Sequence, residues 1–120
     1  MIDIPFGSKG YLSGPMTGVE DYNMPMFFYW QVKLEKSGYR IDNPALYDLR
    51  KMRTGWVYSE DQWDSIIAED CEILKGCDFV FVLNGWQDSP GALIEIECAR
   101  REGIPVYYEE YASCKDKGVK

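Results

Sequence analysis

The chain has 120 residues, 20 acidic against 13 basic side chains, a formal charge of −7 and no histidine. That length predicts one domain over residues 1–120, and the charge argues against a nucleic-acid or anionic-membrane partner. Without histidine there is no Ser-His-Asp or Cys-His catalytic pair, so acid–base chemistry falls to carboxylates, tyrosines or lysines.

In chain order, the first predicted element is a short strand over residues 10–13, followed by the loop Gly14-Pro15-Met16-Thr17-Gly18 and a polar stretch to Asn23. Pro25 opens a helix that runs to about Ser37, where Gly38 closes it. Residues 39–41 make a brief second strand ending at Asp42-Asn43-Pro44. Residues 45–58 carry Tyr47, Arg50, Lys51, Arg53 and Trp56 without clear periodicity, which predicts a loop or a short helix. Ser59 caps the clearest helix, residues 60–75, and Gly76 stops it. Cys77 to Leu83 is nearly continuous in apolar residues, as in a strand covered on both faces. Asn84-Gly85-Trp86-Gln87-Asp88 is a loop, Ser89 caps a helix with Pro90 in its first position, and that helix stops near Gly103. Residues 104–108 form a last strand, and a loosely ordered tail covers residues 112–120.

Strands alternating with helices predict an α/β fold, a three-layer parallel sheet with right-handed crossovers and flanking helices. Ligands of such sheets bind outside the carboxyl ends of the strands. The loops that begin at Ser13, Asn43 and Asn84 all leave that edge.

Cys71, Cys77, Cys98 and Cys114 form no CxxC pair and read as reduced, mostly buried small residues; no metal and no cofactor are expected. No apolar run approaches the roughly 20 residues that span a bilayer, and the N-terminus lacks a positive region followed by an apolar stretch, so a cytoplasmic protein is expected.

Two acids stand out by position. On the helix after Ser59 the apolar stripe is Trp63, Ile66, Ile67 and Leu74, and at about 100° per residue Asp70 falls within it. An ionised acid on such a face needs a partner or a function, whereas Glu69 and Glu72 lie on the opposite, solvated face. Glu95 lies two turns into the helix that begins at Ser89, beyond the positions where an acid only complements the helix dipole. Ala92, Cys98 and Ala99 flank it at helical spacing, and Glu97 points roughly 160° away. Gly14, Gly85 and Gly91 permit close backbone approach, and the free N–H groups after Ser89 suit an anion. Tyr11 alternates with Ser13 on the first strand and reaches the same crevice.

Read together, Tyr11-Leu12-Ser13-Gly14-Pro15-Met16-Thr17-Gly18, Asn43-Pro44-Ala45, Asp70 with Cys77-Asp78, Asn84-Gly85-Trp86, Ser89-Pro90-Gly91-Ala92 and Glu95 resemble the nucleoside 2-deoxyribosyltransferase superfamily. The closest resemblance is to its small, often phage-encoded branch of the DUF4406 type, and it covers about residues 9–109. It implies a flavodoxin-like, deoxyribosyltransferase-like domain, commonly a dimer, with Glu95 as nucleophile on an anomeric carbon. It also implies Asp70 as an aid to the base or sugar and Tyr11 as the residue that orients Glu95. Substrate contacts are implied at Ser13, Gly14, Pro15, Met16, Asn43, Asp78, Asn84, Gly85, Trp86, Asp88, Ser89 and Gly91.

The activity so implied is cleavage or transfer at the N-glycosidic bond of a (deoxy)nucleoside or its 5'-monophosphate. Ser89, six residues before Glu95, tilts the expectation toward the monophosphate, with Asp88 beside it as a competing acid. Two other readings fit the same residues: a non-catalytic nucleotide or nucleotide-sugar binding protein, and a phage-type interaction protein that uses only the scaffold.

Overall fold

The computed structural model describes residues 4–16, 19–45 and 60–110, apart from the side chains of residues 21, 22 and 60–67. Four strands, β1 (Lys9–Ser13), β2 (Arg40–Asp42), β3 (Phe79–Val82) and β4 (Val106–Tyr108), form one sheet in the order β2-β1-β3-β4. Every pair in it is parallel. Helices α1 (Met24–Lys36), α2 (Glu60–Lys75) and α3 (Pro90–Arg101) flank it.

Alternation along β1 and β3 divides the interior into two layers. Leu12, Phe79, Phe81 and Leu83 face Phe27, Trp30 and Leu34 of α1. Tyr11, Val80 and Val82 face Leu74 of α2 and Ile96, Cys98 and Ala99 of α3. All four residues of β3 are buried, which is why its sequence is apolar without alternation. The chain is thus a three-layer α/β fold consistent with the flavodoxin-like class.

The element ends follow from local hydrogen bonding. Gly38 adopts φ 102°, and the Tyr39 N–H returns to the Leu34 carbonyl at 3.2 Å, so Tyr39 completes the helix cap and β2 starts one residue later than expected. β3 is shorter than the predicted 77–83, although the Asp78 N–H still donates to the Lys9 carbonyl and the Leu83 N–H to the Ser13 carbonyl. The loop after β3 contains a 3-10 turn, Trp86–Asp88.

Expectations for Thr17, Gly18, residues 46–59 including the Ser59 cap, Cys114 and the tail lie outside the described residues. So do the Trp63, Ile66 and Ile67 side chains. Among the described residues no helix is long and apolar enough to cross a membrane.

Candidate active site

Tyr11 and Ser13 sit two apart on β1, so both side chains project from the same face of the sheet toward α2 and α3. Each is fully buried. Between them they hold one carboxylate: the Tyr11 hydroxyl donates to Glu95 Oε2 at 3.0 Å, and the Ser13 hydroxyl donates to Glu95 Oε1 at 2.6 Å. Glu95 itself is 5% exposed, on the inner face of α3 beside the buried Ala92, Cys98 and Ala99. Glu97 is exposed, as its opposite helical position requires.

Asp70 reaches the same place from α2. It is half-buried and hydrogen-bonded to Glu95. Burial and the charge of Asp70 push Glu95 up to about 8, while the hydrogen bonds from Ser13 and Tyr11 pull the other way. Among the described residues no cation is one of these leading influences. With Glu95 so raised, the two carboxyl groups in contact hold a proton between them at neutral pH. Tyr11 is raised well above its usual range by burial and by the negative charges of Glu95 and Asp70, so it stays protonated and serves as a donor.

The loops over this edge are braced against one another. Gly85 adopts φ 92°, and a methyl group built on it would lie 3.1 Å from Pro15 Cγ, so the loops after β1 and β3 touch there. Asn23, at the start of α1, donates from Nδ2 to the Pro15 carbonyl at 2.9 Å. Ser89 caps α3 as expected, its Oγ accepting from the Ala92 N–H at 3.2 Å. Trp86 packs against Tyr108 with ring centroids 5.1 Å apart, and its buried Nε1 has no hydrogen-bond partner among the described residues. Gly91 lies in the first turn of α3.

Tyr11, Ser13, Asp70 and Glu95 are therefore brought together, and several other expected contacts are not. Asp78 is exposed at the amino end of β3, where its carboxylate accepts from the Lys9 N–H at 2.9 Å, on the edge opposite the site. It braces β1 there, away from the Glu95 carboxylate. Asn43 is 1% exposed, and both ends of its amide are engaged: Nδ2 donates to Gln31 Oε1 and Oδ1 accepts from the Ala45 N–H. Its role is to turn the chain out of β2 and tie it to α1. Met16 packs on the α1 layer and Gly14 against Leu83, so both support the loop from below. Asn84 and Asp88 have exposed side chains.

Two residues went unrecognised in the sequence reading. Glu109 is 8% exposed just past β4, and its Oε1 accepts from the Asn84 N–H at 2.8 Å, holding the start of the loop after β3. Asn23 holds the loop after β1. An acid following a strand and an asparagine preceding Met24-Pro25 were the available signals, but each is common in loops.

Cys71, Cys77 and Cys98 are free thiols. Burial pushes Cys71 and Cys77 up to about 12, helped by Cys98 in the first case and Asp42 in the second. Neither thiol has the lowered value of a reactive nucleophile. Among the described residues no group of three or more cysteines and carboxylates is arranged to hold a metal ion.

The model of a family described as "Domain of unknown function (DUF4406)" matches residues 8–108 of the chain. No curated protein matches it.

Proposed function

The chain belongs to the DUF4406 family, and from its buried carboxylate site we propose that it cleaves or transfers the N-glycosidic bond of a (deoxy)nucleoside or its 5'-monophosphate. The observation that carries this reading is the buried Glu95 carboxylate held by Ser13 and Tyr11 with the second acid, Asp70, against it. Such a site favours a ligand whose reacting atom gains positive charge. An anomeric carbon losing a nucleobase does so, passing through an oxocarbenium-like state. The order of motifs shared with the nucleoside 2-deoxyribosyltransferase superfamily supports the same substrate class.

The chemistry follows from one proton shared by two acids. In the reacting form Glu95 is ionised and Asp70 is protonated. Glu95 attacks the anomeric carbon, the bond from that carbon to the base nitrogen breaks, and Asp70 gives its proton to the departing base. The resulting glycosyl ester passes its sugar to water or to a second base, whose proton returns to Asp70 as the ester bond breaks and Glu95 is released as carboxylate. In the free protein Asp70 is hydrogen-bonded to Glu95, whereas retaining glycosidases keep their two carboxyls roughly 5–5.5 Å apart. Binding has to part them, and Asp70 is the more exposed of the two.

Ser89 supports the monophosphate. Its oxygen accepts from Ala92, its hydroxyl proton remains able to donate, and the first N–H groups of α3 favour an anion.

Incubation with a panel of nucleosides, deoxynucleosides and their monophosphates, read by chromatography for free base, tests the proposal. At least one member should release base, Glu95→Gln should reduce release to background, and Asp70→Asn should slow it by about 10²–10⁴-fold. A folded protein that releases base from no member overturns the enzyme reading. A rise in melting temperature with one of them would then identify a nucleotide-binding protein.

A further inference from the structure

Ser13 and Asp70 press on Glu95 in opposite senses. A hydroxyl that donates to a carboxylate favours its ionised form, whereas a second carboxyl in contact with it favours the protonated form. We propose that Ser13 is a positioning residue that decides which of the two acids, Glu95 or Asp70, carries the proton they share. This rests on the reading of Glu95 as the working carboxylate and goes beyond it, because it assigns the nucleophile's readiness to a residue that touches no reacting atom.

Three observations carry it. The Ser13 hydroxyl lies 2.6 Å from Glu95 Oε1, the length of a hydrogen bond to an ionised acceptor, while the Tyr11 hydroxyl lies at 3.0 Å from Oε2. Ser13 therefore has the tighter hold. Its backbone is fixed, since it pairs with Val82 and its carbonyl accepts from the Leu83 N–H at 2.8 Å, so the hydroxyl cannot follow a carboxylate that swings away. Its side chain is fully buried, which keeps water from replacing the bond.

Among the described residues, few groups could take over. Tyr11 faces Glu95 from β1, Asp70 and Cys71 face it from α2, and Cys98 lies one turn along α3. β3 presents Val80 and Val82 to this layer. Of these, only Tyr11 adds a second hydroxyl donor.

Removal of the hydroxyl by Ser13→Ala should bind the shared proton more tightly to Glu95 and shrink its ionised fraction. With glutamate labelled at the side-chain carboxyl carbon, the Glu95 resonance should titrate about one pH unit higher than in the unaltered protein, tenfold in proton affinity. Tyr11→Phe should shift it less, and Ser13→Thr, which restores a hydroxyl, should bring it back. An unchanged midpoint in a folded Ser13→Ala protein overturns the proposal.

A measurement on the unaltered protein guards against loss of folding. The Ser13 hydroxyl proton should appear as a slowly exchanging resonance whose shift follows the Glu95 titration, and a hydroxyl that exchanges as freely as an exposed serine overturns the proposal equally. Neither readout requires a substrate. If the panel shows no base release, the N-glycosidic reading fails while the assignment of Ser13 is still decided by these titrations. Where base is released, Ser13→Ala should lower kcat about tenfold at pH 7 with KM unchanged, and a change confined to KM would count against it.

Discussion

Glu95 occupies a place where its charge is costly, and this has a consequence for stability as well as chemistry. Its folded value of about 8 lies above the usual 4.5. Between those values the folded chain keeps a proton that the unfolded chain has released, so stability falls as pH rises through the window. The contribution is fully present below about pH 4.5 and is lost as pH passes 8. Each unit of the interval corresponds to at most about 1.4 kcal/mol. Thermal melts at pH 5, 7 and 8.5 should show a decreasing midpoint, and Glu95→Gln, which cannot ionise, should flatten that dependence. A midpoint that rises with pH in the unaltered protein and not in Glu95→Gln would contradict the assignment. Glu95 and Asp70 could be picked from the sequence because an acid on an apolar helix face is visible in the pattern, and Tyr11 because the motif order of a resembling family points to it. The role of Ser13 could not, since nothing local says which atom 82 residues away its hydroxyl meets.

At the scale of elements, local chemistry was the better guide. Ser89-Pro90 reads as a helix start, and the structure has Ser89 capping α3 through the Ala92 N–H. Ser89→Ala should destabilise the fold by about 1 kcal/mol, measured by urea unfolding, because it leaves that N–H without its cap. It should also weaken a monophosphate far more than the matching nucleoside, whereas equal losses would confine Ser89 to capping. Gly38 likewise ends α1 where glycine was expected to, since the positive φ there is open to it without strain. Asn43 and Asp78 show where the local reading stopped. Both carry polar groups near a strand end, but one is engaged by its own turn and by Gln31 of α1 and the other faces the far edge. Which end of a strand a residue occupies depends on the strand's true start, and β3 begins at Phe79, two residues after the apolar run does.

Across the whole molecule, the sheet depends on how closely β1 and β3 approach. Gly10 pairs with Phe79, and a methyl group at residue 10 would run into the Phe79 ring. Phe79 in turn meets Tyr39 and Tyr107 edge-on, with centroids 5.3 and 6.1 Å away, so it has little room to yield. Gly10→Ala should cost roughly 1–3 kcal/mol by urea unfolding. A variant as stable as the parent would show that the ring can move. Because β1 also carries Tyr11 and Ser13, a displaced strand should loosen the hold on Glu95 as well.

By itself the sequence determined the alternation of strands and helices, the parallel class of the sheet, the two-sided burial of β3 and the acids that lie on inward helix faces. These are properties of nearest neighbours and of periods of two and 3.6 residues, which a chain expresses wherever it is placed. Only the tertiary structure decided that β1 lies between β2 and β3, that Ser13 closes on Glu95, that Asp70 touches the same carboxylate, and that Asp78 belongs to the opposite edge. Those outcomes depend on which distant segments pack together. Burial then sets the worth of each contact, since a hydrogen bond or a charge counts for more where water is excluded.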